Sequence, residues 1–206
     1  MAVTVLVASR NAKKLRELQR VLDRAGIAGI ELVGLDEVPP FPEAPETGAT
    51  FEENAAAKAR DGALATGLPC VADDSGLEID SLNGMPGVLS ARWSGAHGND
   101  DANTALVLAQ LADVPDERRG AAFVSACALA VPAGNDAAVT VVRGEWRGTI
   151  ERAPRGTNGF GYDPVFRPEG EERTSAELSA EEKDAASHRG RALALLVPAL
   201  DALARR

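Results

Sequence analysis

Val3-Thr4-Val5-Leu6-Val7-Ala8-Ser9-Arg10-Asn11-Ala12-Lys13-Lys14-Leu15 is the stretch whose reading sets the fold class. Val3 to Ala8 is apolar and rich in β-branched residues, the pattern of a buried strand. Asn11 then offers a side-chain cap to a helix whose apolar stripe is Leu15, Leu18, Leu22 and Ala25. Strand, short polar turn and helix together open an α/β unit. Further along, Ile30 to Leu35 reads as a second strand, and Glu37 to Glu46, with Pro39, Pro40, Pro42 and Pro45, as a loop. Thr50-Phe51-Glu52-Glu53 has the form of a capping box opening an Ala-rich helix to about Thr66, with Gly67 at its end. Cys70 to Ala72 predicts a short strand that delivers Asp73-Asp74-Ser75-Gly76 at its C-terminal end, where open α/β sheets place ligands.

Beyond that point Leu77 to Leu82 can pair onward, Asn83-Gly84 signals a turn, and Gly84 to Gly98 reads as an extended loop holding Trp93. Helix resumes near Asp101 and continues to Leu111. Ala121 to Val131, Ala137 to Arg143 and Glu145 to Ile150 are three strand-like runs, separated by Pro132-Ala133-Gly134-Asn135 and by Gly144. They predict a meander, and with it an antiparallel or mixed middle to the sheet. A glycine-rich loop, Gly156 to Pro164, precedes a second capping box at Ser179-Ala180-Glu181-Glu182 and a last helix from about Ser187 to Ala204, kinked at Pro198. With no repeat, linker or composition break, the expectation is one α/β domain over residues 1–206, a mixed central β-sheet flanked by helices.

The 206 residues are 45% hydrophobic and 26% charged, which excludes intrinsic disorder and suffices for a sizeable core. A formal net charge of −9 and a pI of 4.8 argue against nucleic acid as the main partner, since a phosphate backbone needs a basic face. Cys70 and Cys127 each lie in an apolar run, which suits buried reduced thiols and a cytoplasmic location. Ala2 to Ala8 is too short for a signal segment, and no apolar window approaches the roughly 20 residues a membrane span needs.

Chemistry concentrates in a few places. Two adjacent carboxylates, Asp73 and Asp74, suit Mg²⁺, which prefers oxygen ligands and takes one or two carboxylates from a protein, leaving positions for water and phosphate. A neighbouring carboxylate can then orient or deprotonate a metal-bound water. The same segment also fits a plain polar turn. Only four of the 22 basic residues are lysine (Lys13, Lys14, Lys58 and Lys183), so a retained lysine points to a need for a compact ammonium, as at a phosphate. Ser9-Arg10-Asn11-Ala12-Lys13-Lys14 opens a helix, where orphan N–H groups favour anions, and reads as a triphosphate cradle; a solvated basic first turn is the alternative. Phe160 and Tyr162, next to Gly159 and Gly161, allow an aromatic face to lie over a nucleobase, or one aromatic to tuck into the core. His188 and Arg189 open the final helix as site residues or as a solvated cap, and His97 reads as a loop residue. Glu52 and Glu53 read as capping and surface residues, whereas Glu46 is freer to be a ligand.

Several segments match one family in order. They are Ser9 to Leu18; Glu46-Thr47-Gly48 with Phe51-Glu52-Glu53-Asn54 and Lys58-Ala59; Ala72-Asp73-Asp74-Ser75-Gly76-Leu77; and Pro86-Gly87 with Ser90-Ala91-Arg92. Gly156 with Gly159 to Pro164, Ala176-Glu177-Leu178 with Glu181-Glu182-Lys183, and Ser187-His188-Arg189-Gly190 complete the series. Across nearly its whole length the chain resembles the RdgB-type noncanonical purine nucleoside triphosphate pyrophosphatases, also called inosine triphosphate pyrophosphatases.

That resemblance implies hydrolysis of ITP, dITP and XTP between the α and β phosphates, giving monophosphate and pyrophosphate with Mg²⁺. It also implies a mixed α/β fold of two lobes around a cleft, as a homodimer. By position, Ser9, Arg10, Asn11, Ala12, Lys13 and Lys14 would hold the phosphates, Asp74 would be proton acceptor and metal ligand, and Asp73 and Glu46 would support the metal. Lys58 and Ser75 would touch substrate, Phe160, Gly161, Tyr162 and Asp163 would enclose the base, and Lys183, His188 and Arg189 would complete the contacts. One departure is that Lys13 stands where many members have glycine, which leaves open whether Lys13 or Lys14 meets phosphate. A Maf-like pyrimidine triphosphate pyrophosphatase is the neighbouring reading, against which Ser187-His188-Arg189-Gly190 weighs. A catalytically silent nucleotide-binding protein is another, opposed by the intact Asp73-Asp74 pair.

Overall fold

The structure, a computed structural model, describes residues 2–42 and 45–205, with backbone alone at 184 and 185. Six strands, β1 (Val3–Val7), β2 (Ile30–Val33), β3 (Cys70–Ile79), β4 (Gly120–Ala133), β5 (Asp136–Ile150) and β6 (Phe166–Pro168), lie in the order β2-β1-β3-β4-β5-β6. The helices are α1 (Ala12–Ala25), α2 (Phe51–Thr66), α3 (Asp100–Gln110), α4 (Ala180–Ala186) and α5 (His188–Ala204). β1 pairs in parallel with both β2 and β3, whereas β5 and β6 are antiparallel, so the sheet is mixed, as expected. Among the described residues no helix is long and apolar enough to cross a membrane.

Contacts divide the chain into two compact units, one of Met1–Asp74, Ser125–Gly144 and Arg189–Arg206, the other of Ser75–Val124 and Glu145–His188. In the first, the Asn11 side chain accepts a hydrogen bond from Lys13 N at 3.0 Å and starts α1, a cap worth about 1 kcal/mol. The predicted stripe then buries Leu18 and Leu22 against Val5 and Val7 of β1, Val71 of β3 and Leu193, Leu196 and Leu200 of α5. Each leucine buried in this way contributes about 2 kcal/mol. α5 continues through Pro198. Cys70 and Cys127 are buried and free, and burial pushes both thiols up to about 12. The second unit has its own core, with Leu77, Ile79, Phe123, Trp146, Ile150 and Phe166 at its centre.

The structure corrects several sequence expectations. β3 does not stop before Asp73 but runs ten residues through Asp73-Asp74-Ser75-Gly76 between β1 and β4, and each carboxylate finds a hydrogen-bonding partner on its side of the strand. Gly144 does not divide two strands; it is buried inside β5, where ladder pairing overrides low strand propensity. The loop holding Trp93 contains a 3-10 helix, Gly87–Arg92, whereas the last helix, His188–Ala204, lies where the sequence places it. The box at Thr50 is half formed: Thr50 Oγ1 accepts from Glu53 N at 3.1 Å, but Glu53 reaches Ala49 N at 2.6 Å. The box at Ser179 and Glu182 is complete.

Candidate active site

Adjacent strand residues face opposite ways, and β3 uses that rule to give its two carboxylates different surroundings. Asp73 meets Lys14 Nζ of α1 at 2.9 Å and Arg189 Nη2 of α5 at 2.7 Å. Burial alone would push the Asp73 carboxyl up, but Arg189 and Lys14 beside it outweigh burial and hold it well below the usual carboxylate range. Asp74 turns to α2, where Asn54 Nδ2 donates to its Oδ2 at 2.9 Å and Lys58 Nζ lies 3.5 Å from its Oδ1. Lys58 is shared further, with Glu46 Oε1 at 2.5 Å and the Asp73 carbonyl at 3.4 Å. Desolvation would push the Lys58 ammonium down, yet the hydrogen bond to Glu46 and the charges of Asp74, Glu46 and Asp73 raise it.

Asn54, 3% exposed, is fixed at both ends, since its Oδ1 accepts from Gly48 N at 2.8 Å while its amide holds Asp74. A Cβ at position 48 would stand 2.6 Å from that Oδ1, so the loop can approach α2 this closely only as glycine. Ser9, Arg10, Lys14, Glu46, Lys58 and Asp73 share the wall of a cavity of about 460 Å³ within the first unit. The first turn of α1 carries no acidic residue, which leaves its N–H groups suited to an anion.

In the second unit the glycine-rich loop is built around Asp163, which is 2% exposed. Its carboxylate accepts from Phe160 N at 2.8 Å and Ser175 Oγ at 2.8 Å and forms an ion pair with Lys183. Gly159 has a φ of +80°, and a Cβ there would run into the Asp163 carboxylate. Gly161 N donates to Asp100 of α3 at 2.8 Å. The two aromatics part company: Tyr162 is buried, its hydroxyl donating to Ser90 O at 2.7 Å, while Phe160 is 73% exposed with Lys183 Nζ 5.3 Å from its ring centre. Burial, with the charge of Asp100 adding to it, pushes the Tyr162 hydroxyl up. Of the two rings, Phe160 is thus the exposed one and Tyr162 the one tucked into the core. His188 stacks on Phe123 with ring centres 5.2 Å apart.

Of the first-loop residues, Ser9, Arg10 and Lys14 line the cavity, Asn11 is spent on the helix cap, and Ala12 and Lys13 are exposed. Between the two lysines, then, Lys14 is the one at the cavity. The Asp73 carboxylate is held by Lys14 and Arg189. Among the described residues no three His, Cys, Asp or Glu side chains converge. Glu46 and Asp74, however, bracket one cationic group, and a pair of carboxylates beside a carbonyl suits Mg²⁺. Asp100 and Ser175 escaped the sequence reading, and Asn54, though inside a matching segment, has no role there; an asparagine within a helix, a poor place for it without a partner, was the available signal.

The profile of the Ham1 family matches residues 5–199. A dITP/XTP pyrophosphatase of Nocardia farcinica is 74% identical over 202 residues, spanning 98% of this chain and 97% of that protein. Another, from Mycobacterium tuberculosis, is 68% identical over 204 residues, 99% and 98% of the two chains. The solved nucleoside-triphosphatase / dITP/XTP pyrophosphatase of Mycobacterium abscessus superposes with a TM-score of 0.82 at 66% identity, over 96% of this chain and 100% of that one. A HAM1 protein from Coxiella burnetii does so at 0.86 and 44% identity, over 96% and 98%.

Proposed function

The chain belongs to the Ham1 family, and from that premise we propose that it hydrolyses dITP, ITP and XTP to the monophosphate and pyrophosphate, cleaving between the α and β phosphates. The observation that carries this reading is the cavity of the first unit, whose wall holds Arg10, Lys14 and Lys58, cations suited to a triphosphate, with Asp74 held behind that wall by Lys58 and Asn54, in a chain nearly as long as the dITP/XTP pyrophosphatases it matches.

Each residue has a chemical task. Ser9, Arg10 and Lys14, with the N-terminus of α1, bind phosphate oxygens and neutralise charge that builds as the anhydride breaks. Asp74, oriented by Asn54, accepts the proton of the attacking water. Glu46 and Asp74 would hold Mg²⁺, which when bound supplies further charge neutralisation on the triphosphate. Asp73 keeps Lys14 and Arg189 in place. Phe160 stacks on the base, on a loop tied down by Asp163 and Lys183. His188 and Arg189 offer donors to the 6-keto oxygen of hypoxanthine or xanthine, and an adenine amino group in that place would leave them unpaired, a mismatch that costs such sites about 10⁴-fold in selectivity. The enzyme works as a cytoplasmic homodimer in this reading, clearing deaminated purine nucleotides from the pool.

The test is to incubate the protein and Mg²⁺ separately with ITP, XTP, GTP, ATP and UTP and to resolve all phosphate products. Monophosphate and pyrophosphate from ITP and XTP are expected. No product, or diphosphate with free phosphate, overturns the proposal.

A further inference from the structure

We infer that the Lys58 ammonium is a resident stand-in for the divalent cation, filling an oxygen cage made by Glu46, Asp74 and the Asp73 carbonyl, which a metal ion enters only by expelling it. This rests on the reading of Glu46 and Asp74 as the metal-holding pair. Three oxygens from three residues surround Nζ, at 2.5 Å (Glu46 Oε1), 3.4 Å (Asp73 O) and 3.5 Å (Asp74 Oδ1). Two carboxylates and a carbonyl are also what a hard divalent ion takes from a protein. A divalent ion on the same oxygens would lie within a few ångströms of Nζ, and like charges so close in a partly desolvated wall repel strongly. Occupation by one cation therefore excludes the other.

The cage has supports of its own. Asn54 holds the far oxygen of Asp74, and Lys14 and Arg189 hold the Asp73 side chain. Lys58 projects from α2 into a cavity whose wall it shares with Arg10 and Lys14, so the displaced ammonium has both room and a destination, the oxygens of a bound triphosphate. Metal and nucleotide binding are coupled through this one side chain: the nucleotide draws Lys58 aside and strengthens metal binding, and the metal strengthens nucleotide binding by the same factor.

Mg²⁺ titration of the nucleotide-free protein, read by calorimetry with Mn²⁺ paramagnetic resonance for weak binding, tests the inference, and thermal unfolding checks that each variant is folded. Lys58→Met keeps the apolar stem and removes the charge; it should tighten Mg²⁺ binding at least tenfold, as should Lys58→Gln, the second neutral variant. Lys58→Arg should leave binding as weak as in the parent. Adding Glu46→Gln to Lys58→Met should abolish the gain. Affinity that fails to rise in the neutral variants yet depends on Glu46 overturns the stand-in and spares the metal pair. Affinity indifferent to Glu46→Gln and Asp74→Asn alike overturns both.

Discussion

Asp73 in the first unit and Asp163 in the second are both nearly buried aspartates facing a lysine, and they are used in opposite ways. Asp163 accepts from Phe160 N, Ser175 Oγ and Lys183, so its charge is spent on shaping a loop that leaves one ring exposed. Asp73 lies on the wall of a cavity beside its partner Lys14, a cation that an incoming anion can reach, while its second partner Arg189 stands behind it. An ion pair closed inside its own loop acts as a clasp. One bordering an open space is a set of partners that can be exchanged.

The largest expected effect falls on the residue next to that exchangeable pair. Asp74→Asn should lower turnover of ITP by about 10²-fold or more while thermal unfolding still reports a folded protein, as expected for loss of a general base. Turnover near that of the parent would remove Asp74 from the chemistry.

Asp73→Asn sharpens the contrast through stability. It leaves Lys14 and Arg189 facing a neutral amide and should cost about 3 kcal/mol, the low end for a broken buried pair because the cavity admits water. Since the folded carboxyl is held below its unfolded value, its contribution is complete above about pH 4 and disappears as pH falls toward the depressed value. Urea unfolding of parent and variant should therefore differ by a constant amount from pH 5 to 7 and converge below pH 4. A difference that grows on acidification would contradict the pairing.

The smallest effect belongs to the clasped loop. Phe160→Ala should leave stability within about 0.5 kcal/mol, because the ring is exposed. It should weaken nucleotide binding by about 1–3 kcal/mol, the range for a base stacked on an aromatic. Unfolding curves and KM for ITP measure the two separately; a lowered stability with unchanged KM would make the ring structural.

These contrasts bear on what the sequence reveals. α1 and α2 are legible because their caps, Asn11 and Thr50, and Gly67 at the end of α2 are local chemistry. β3 is not, because whether a strand continues through Asp73-Asp74 depends on pairing with strands from elsewhere in the chain, and the partners of its carboxylates, Lys14, Asn54 and Arg189, arrive from three different helices. β6 has three residues and exists only by pairing with Gly148 to Ile150. In the site, residue types and spacing indicate the carboxylate pair and the lysines. Whether Lys13 or Lys14 faces the cavity, and whether Phe160 or Tyr162 is the exposed ring, follows from packing.

The buried cysteines carry one more consequence. Because burial pushes both thiols up to about 12, the folded chain offers alkylating agents and peroxides little thiolate at neutral pH. Cys70 on β3 and Cys127 on β4 become reactive only when the strands around them open. The pair thus forms a built-in clock, and the rate at which a thiol reagent consumes them reads how often the first unit breathes.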